Sequence, residues 1–291
     1  MAALSRSVAH LSLEIGKLPT IRIIALDSLL LHEDPDPRRA VPLARRIAAE
    51  GRLRSPVIAA RDHGTVSHIL LDGANRLEAL RSLGARHVPI QEVDLADRGL
   101  TLSTWHHVVE GLDAEELVAR VARFTRVRPC RGQFTRGGDF VPAHGRGIAG
   151  FIVLPNKRAF AVLDGATAAG RLDVARQLVA ETQAATNIDR VSYTNIADLR
   201  DHYLRFAALV CYKGFSKQEV LRLALAGKRF PSGVTRFGVP KRALALSLPL
   251  DLLTRRGSEK TKQAEVGGMI RQAIAAKRIR FYAEPTFYFD D

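Results

Sequence analysis

Short apolar runs bounded by polar turns alternate with stretches of helical spacing along the first third of the chain, and that alternation predicts an α/β fold. Ile21 to Ala25 reads as an opening strand and Leu29 to His32 as a second, followed by a loop rich in proline and aspartate from Glu33 to Arg39. Pro42 suits a first helical turn, with Leu43, Ala44, Ile47 and Ala48 at helical spacing until Gly51. Pro56 to Ala60 is a short apolar strand, and Asp62-His63-Gly64 turns the chain into another, Val66 to Leu71, which ends at Asp72-Gly73. Leu77, Ala79, Leu80 and Leu83 form the buried side of a helix that stops at Gly84. His87 to Val93 then returns as a strand.

Farther along, Ser103 to Val109 is read as opening a helix that continues through Asp113 to Val121. Phe151 to Pro155 and Arg158 to Leu163 flank Asn156-Lys157 as a hairpin. Ala166 to Thr182 is predicted helical, as is Asn195 to Tyr212, where Leu199, Tyr203, Phe206 and Val210 share one side. Ser216-Lys217-Gln218-Glu219 fits a capping box for a helix from Val220 to Gly227. Val234 to Val239 and Ala243 to Leu248 read as extended, Glu265 to Lys277 as helical, and Ile279 to Tyr282 and Phe287 to Phe289 as extended again. Residues 120 to 150 stand apart: seven arginines and six glycines accompany a single acidic residue, Asp139, which reads as a mobile basic connection between two lobes.

The chain has 291 residues, enough for one large domain or two ordinary ones, and its 46% apolar and 25% charged residues are those of a packed soluble protein. Lysine and arginine total 44 against 30 acidic residues, so the formal charge is +14 and the expected partner is an anion. Nucleic acid, a membrane surface and a phosphorylated metabolite all satisfy that charge. Cys130 and Cys211 make no disulfide framework or C-x-x-C pair. Met1 to Thr20 mixes Arg6, His10, Glu14 and Lys17 among apolar residues and so lacks a secretory core, and no stretch approaches the roughly 18 apolar residues of a membrane span. The expected location is the cytoplasm.

The segment with most chemistry is Leu70 to Leu83, LLDGANRLEALRSL. An apolar strand delivers Asp72 and Gly73 into a tight turn, and a helix begins at about Asn75 or Arg76. Helix starts carry unpaired N–H groups and partial positive charge, which suit phosphate oxygens. Gly73 permits close approach of the backbone, Arg76 adds a forked cation, and Asp72 is a hard oxygen ligand for Mg²⁺ beside nucleotide phosphates. The same residues also make an ordinary strand-to-helix turn with Asp72 or Asn75 as N-cap, and neither a Walker loop nor a G-x-G-x-x-G fingerprint is present.

A wider set of motifs extends this reading. The D-P-R-R at Asp36 to Arg39, the G-x-x-x-S-P-V at Gly51 to Val57 and the DGANR at Asp72 to Arg76 resemble the ParB N-terminal/sulfiredoxin-like domain, and within that superfamily the free L-serine kinases. His32-Glu33, the Asp-Gly-x-x-Arg turn about forty residues later, Thr104-Trp105-His106, P-S-G-V-T-R-F at Pro231 to Phe237 and E-P-T-F-Y-F-D at Glu284 to Asp290 carry the similarity over most of the chain. The resemblance implies a nucleotide-binding domain over residues 1–115, the basic connection over 116–150, and an α/β lobe over 151–291 that completes the substrate site.

By the same resemblance, ATP, or ADP as in some relatives, phosphorylates the hydroxyl of free L-serine to O-phospho-L-serine, which would feed a siderophore, diaminopropionate or cysteine pathway. Glu33 would accept the hydroxyl proton. Asp72 would hold Mg²⁺, and Gly73, Ala74, Asn75 and Arg76 would bind the phosphates. His32, Trp105, His106, Thr235 and Arg236 would surround the serine, with Arg236 on the α-carboxylate. Sulfiredoxin chemistry is set aside because Ala74 stands where its reactive cysteine would be. The alternative is a ParB-like, nucleotide-dependent DNA-binding regulator, favoured by the +14 charge and the arginine-rich stretch. No convincing helix-turn-helix accompanies it, although Phe215 to Arg229 can be forced into that mould. His106 and His107, taken as neighbours on a helix, diverge too far to share a zinc ion.

Overall fold

The computed structural model describes residues 18–61, 68–185 and 188–281. Most of the segment from Met1 to Thr20, the turn at Asp62-His63-Gly64, the start of the strand expected at Val66, Tyr282, the strand expected at Phe287 to Phe289 and the Glu284 to Asp290 motif lie outside them.

The alternation in the first third produces β1 (Thr20–Ala25), β2 (Leu29–Leu31), α1 (Pro37–Glu50), β3 (Arg52–Leu53), β4 (Val57–Arg61), β5 (His68–Asp72), α2 (Ala74–Ser82) and β6 (His87–Asp94). Five of these strands form a mixed sheet in the order β1-β6-β4-β5-β2, with β4 parallel to β6 and β2 parallel to β5. Helix α1 begins five residues before Pro42, because Asp36 caps it by accepting from the Arg38 amide and Pro37 occupies the first turn. Pro42 therefore lies inside the helix, where it removes one backbone donor.

The rest of the chain supplies β7 (Thr101–Thr104), β8 (His106–Glu110), α3 (Ala114–Val121), β9 (Val127–Cys130), β10 (Gln133–Phe134), β11 (Phe140–Val141), β12 (Gly150–Val153), β13 (Ala159–Val162), α4 (Ala168–Ala185), β14 (Ile188–Val191), α5 (Ile196–His202), β15 (Phe206–Tyr212), α6 (Lys217–Leu225), β16 (Thr235–Gly238), β17 (Leu248–Pro249), α7 (Leu250–Thr254) and α8 (Glu259–Ala275). A six-stranded antiparallel sheet runs β14-β8-β15-β12-β13-β9. Ser103 to Val109 is thus strand, not helix: Leu102 and Thr104 are more enclosed than Thr101 and Ser103, a period of two. Asn195 to Tyr212 also divides. Asn195 caps α5, Leu204 is 98% exposed at the break, and the apolar run from Phe206 to Tyr212 is a buried strand whose pattern alone does not distinguish it from a helix. Residues 243 to 247 carry no strand; Ala245 and Ser247 have φ of 52° and 54° there.

The basic stretch is built into this second sheet. Thr125 and Arg126 bind Asp164, β9 pairs with β13 along the sheet edge, and β10 and β11 form a hairpin. The boundary anticipated near residue 115 is crossed as well, since β8 belongs to the six-stranded sheet and β7 pairs with β16. Phe215 to Arg229 contains one helix, α6, closed by the expected Ser216/Glu219 capping box.

Ile58, Ile69 and Leu71 of the first sheet share a continuous core with Val109, Ile152 and Val210 of the second. On the opposite side of the first sheet, Val57, Leu70, Leu77 and Ile90 pack with Leu252, Leu253 and Val266 from the last two described helices, α7 and α8. Gln263 of α8 accepts from the Ile23 amide at 2.7 Å and donates to Ile21 O at 3.0 Å, so a helix side chain satisfies the open edge of β1. Cys130 and Cys211 are both free thiols. Among the described residues no helix is long and apolar enough to cross a membrane.

Candidate active site

Buried strand β5 carries Asp72 to the end of the first sheet, and Gly73 reverses the chain into α2. Gly73 has φ of 104°, and a Cβ placed on it would stand 2.8 Å from Val57 Cγ1, so a side chain is excluded by both strain and space. Gly73 is itself the N-cap and makes no side-chain cap. The helix therefore starts at Ala74, one residue before the expected position, and leaves its first amides pointing into the turn. Leu77 and Leu80, fully buried, hold this helix on the sheet.

The turn is strongly cationic. Asp72 Oδ2 accepts from Arg76 at 3.2 Å and from Arg242 at 2.6 Å, and Arg76 also donates to the carbonyl of Pro56. Burial opposes ionisation of Asp72, but the two guanidiniums outweigh it and hold its carboxyl below the usual range. Arg242 arrives from a strap between β16 and β17. Gln91 pins that strap by accepting from the Ala243 amide and donating to Lys241 O, both at 2.8 Å. Among the described residues no group of three or more His, Cys, Asp or Glu is gathered for a metal ion. A divalent cation here would take Asp72 and complete its shell with phosphate oxygens and water, which suits the donor preference of Mg²⁺.

Glu33 stands beside this turn. The His32 carbonyl accepts from Phe230 N at 2.7 Å and Asp34 N donates to Phe230 O at 2.8 Å, which fixes the loop, and Asn75 Oδ1 accepts from the Asp36 amide at 2.7 Å, which ties it to α2. Asn75 is thus engaged in holding the loop. Thr235 Oγ1 lies 2.9 Å from both Glu33 Oε2 and His32 Nε2, while His32 Nδ1 faces Leu70 O. The Gly233 backbone also favours the ionised Glu33 carboxylate. Burial pushes the Glu33 carboxyl up to about 7, against the pull of Thr235, Gly233 and Arg190, and the nearby Asp72 charge adds to the rise. Burial also lowers His32 to about 4, so its imidazole is neutral.

A second buried histidine supports the same carboxylate from behind. His107 Nε2 donates to Gly233 O at 2.8 Å, which leaves Nδ1 to accept from Tyr212 OH at 2.9 Å. Burial holds His107 at about 4. On strand β8 the neighbours His106 and His107 point to opposite faces, and it is this, not helical divergence, that separates them.

The residues expected around the amino acid are only partly gathered. Thr104 pairs with Thr235 and Ser103 with Arg236, so strand alternation puts Thr235 on the Glu33 face and Arg236 on the other. Arg236 is exposed, with its guanidinium 4.7 Å from the Trp105 ring centroid. His106, lowered to about 4 by burial, has Nδ1 without a protein partner. Arg242, Arg190, Gly233 and His107 enter the site without having been singled out as site residues. Gly233 lay within a recognisable motif, whereas nothing local separated Arg190 or Arg242 from the other basic residues.

No family model matches the chain. It is 25% identical over 247 residues to the ATP-dependent L-serine kinase SbnI of Staphylococcus aureus, an alignment that covers 80% of this chain and 84% of the relative. The fold is that of SbnI with a C-terminal truncation, at a TM-score of 0.67 and 21% identity over 89% of this chain and 97% of the other. It is also that of a free serine kinase in complex with AMP, at 0.64 and 21% over 81% and 95%.

Proposed function

We propose that this chain is an ATP-dependent free L-serine kinase, a phosphotransferase that forms O-phospho-L-serine. The observation that carries the reading is a carboxylate of raised affinity for protons, Glu33, held beside a glycine turn with two arginines on a chain folded like a nucleotide-bound free serine kinase.

The chemistry needs a base, an anion cradle and alignment. Glu33 takes the hydroxyl proton as the serine oxygen bonds to the γ-phosphorus of ATP; the bond from that phosphorus to the bridging oxygen breaks, and ADP leaves. Near pH 7 its raised value makes Glu33 a base matched to the medium, able to release the proton again after turnover. The amides of Gly73 to Asn75 with Arg76 and Arg242 supply fixed positive charge to the oxygens of the transferring group and to the bridging oxygen that leaves. Asp72 positions both guanidiniums and would hold Mg²⁺, which neutralises phosphate charge when bound. His32 and His107 are positioning residues: one holds Thr235, which hydrogen-bonds Glu33, and the other holds Gly233, whose backbone favours the ionised Glu33.

The test is direct. The protein is incubated with L-serine, Mg²⁺ and either ATP or ADP, and phosphoserine is measured by mass spectrometry. ATP should support turnover, and Glu33→Gln and Asp72→Asn should each lose most of it. Full turnover in both variants would overturn the site assignment, and no phosphoserine from either nucleotide would overturn the kinase reading.

A further inference from the structure

We propose that Arg190 and Asp36 form the clamp for the zwitterionic end of the amino-acid substrate, with Arg190 on its carboxylate and Asp36 on its ammonium. The proposal rests on the kinase reading for the location of the reacting hydroxyl.

Arg190 lies on β14 at the edge of the six-stranded sheet, and its side chain is only 22% exposed. Its side chain makes weak contacts for so enclosed a cation: Ser232 O at 3.3 Å, Ser232 Oγ at 3.4 Å, and Asp36 Oδ2 at 4.0 Å. A guanidinium has five N–H donors in a planar fork that fits two carboxylate oxygens, and here that fork is largely unspent. Burial and then the neighbouring Arg39 cation make the charge costlier still, which an arriving anion would relieve. Asp36 is similarly placed. One oxygen caps α1 through the Arg38 amide at 3.0 Å, and the other meets only the distant Arg190.

The position suits one small molecule. Arg190 packs so closely on Gly233 that an added Cβ would be 2.0 Å from its Nε, and both the Gly233 backbone and the Arg190 cation favour the ionised Glu33. In serine, three bonds separate the hydroxyl oxygen from the carboxyl carbon. A hydroxyl on Glu33 therefore leaves the carboxylate within reach of a guanidinium seated on the adjoining residue. The two cationic ends of the site are separate: Arg76 and Arg242 converge on Asp72 at the phosphate end, while Arg190 acts on Glu33 and Asp36. A loosely spaced cation and anion match a carboxylate and an ammonium on one α-carbon. Arg236, exposed on the opposite strand face, lacks this relation to Glu33.

Steady-state kinetics with L-serine and L-serinamide, which keeps the hydroxyl and ammonium but lacks the carboxylate, test the clamp. Arg190→Gln should raise KM for serine at least 10-fold, leave KM for ATP within twofold, and erase most of the parent's preference for serine over serinamide. Asp36→Asn, which preserves the helix cap, should also raise KM for serine and not for ATP. A parent enzyme that phosphorylates serine, with KM and preference unchanged in Arg190→Gln, would overturn the clamp and leave the kinase reading intact. If Arg190→Gln does not fold, an unchanged KM for serine in Asp36→Asn overturns it. If the parent phosphorylates no serine but binds another free amino acid calorimetrically, and Arg190→Gln abolishes that binding, the clamp stands and the kinase reading falls. A parent that binds no free amino acid overturns both.

Discussion

The hydroxyl of Thr235 lies 2.9 Å from Glu33 Oε2 and 2.9 Å from His32 Nε2, joining two neighbouring residues through a third that is 202 positions from Glu33. The neutral His32 donates from Nδ1 to Leu70 O, so its Nε2 accepts. When Glu33 holds a proton, that proton donates to Thr235 and the hydroxyl donates on to His32. When Glu33 is ionised, the hydroxyl turns to it. Proton uptake by Glu33 is thereby coupled to one rotor.

Turnover should follow that proton. With Glu33 at about 7, kcat should rise with pH through about 7 and level off above it. Thr235→Val removes a bond that favours the ionised form, so the rising limb should move to higher pH by up to about one unit. A limb near the ordinary 4.5 in the parent kcat profile would exclude Glu33 as the base.

The same shift affects stability. A carboxyl at about 7 in the folded chain and 4.5 in the unfolded one is protonated on folding, so its contribution is greatest below pH 4.5 and is lost as pH rises to about 7. Glu33→Gln does not titrate. It should be more stable than the parent at pH 8, by on the order of 2 kcal/mol, with the gap closing near pH 4.5. Thermal melting at both pH values checks this, and turnover should fall at least ~100-fold.

Arg242 reaches Asp72 from 170 positions away in the chain, and on the kinase reading its removal should be felt by the nucleotide. Arg242→Ala is expected to lower kcat/KM for ATP ~10- to 100-fold while KM for serine stays within about twofold. Separate titrations of ATP and serine read the two effects. A loss confined to serine would mean that the strap serves the acceptor.

Gly233 has φ of 82° and no room for a Cβ beside Arg190. Gly233→Ala should cost about 1 to 3 kcal/mol in denaturant unfolding and disturb the backbone beside Glu33. Combining it with Arg190→Ala relieves the contact but not the left-handed backbone, so the double variant should recover part of the stability and none of the activity. Additive losses in that cycle would show that the two residues do not press on one another.

Local signals in the sequence determine the structure where a few neighbouring residues decide the outcome. The LLDGANRL turn needs an apolar run, one glycine and a helix start, all within a dozen positions, and the structure contains them with the helix one residue longer at its start. The capping box at Ser216 was legible for the same reason. Phe206 to Tyr212 is strand and not the helix its sequence suggests, because burial on all sides removes the periodicity that separates the two.

From residue order alone came the Asp72-Gly73 turn, the acidic loop before it and the α/β class, since each is encoded by short-range spacing and turn chemistry. Only the folded chain brings Gly233, Arg190 and Arg242 to Glu33 and Asp72, bonds Thr235 to Glu33 itself, and turns Arg236 away. Those outcomes depend on which strands pair and in what register. A shift of one residue exchanges the two faces of a strand, and no local stretch of sequence records that choice.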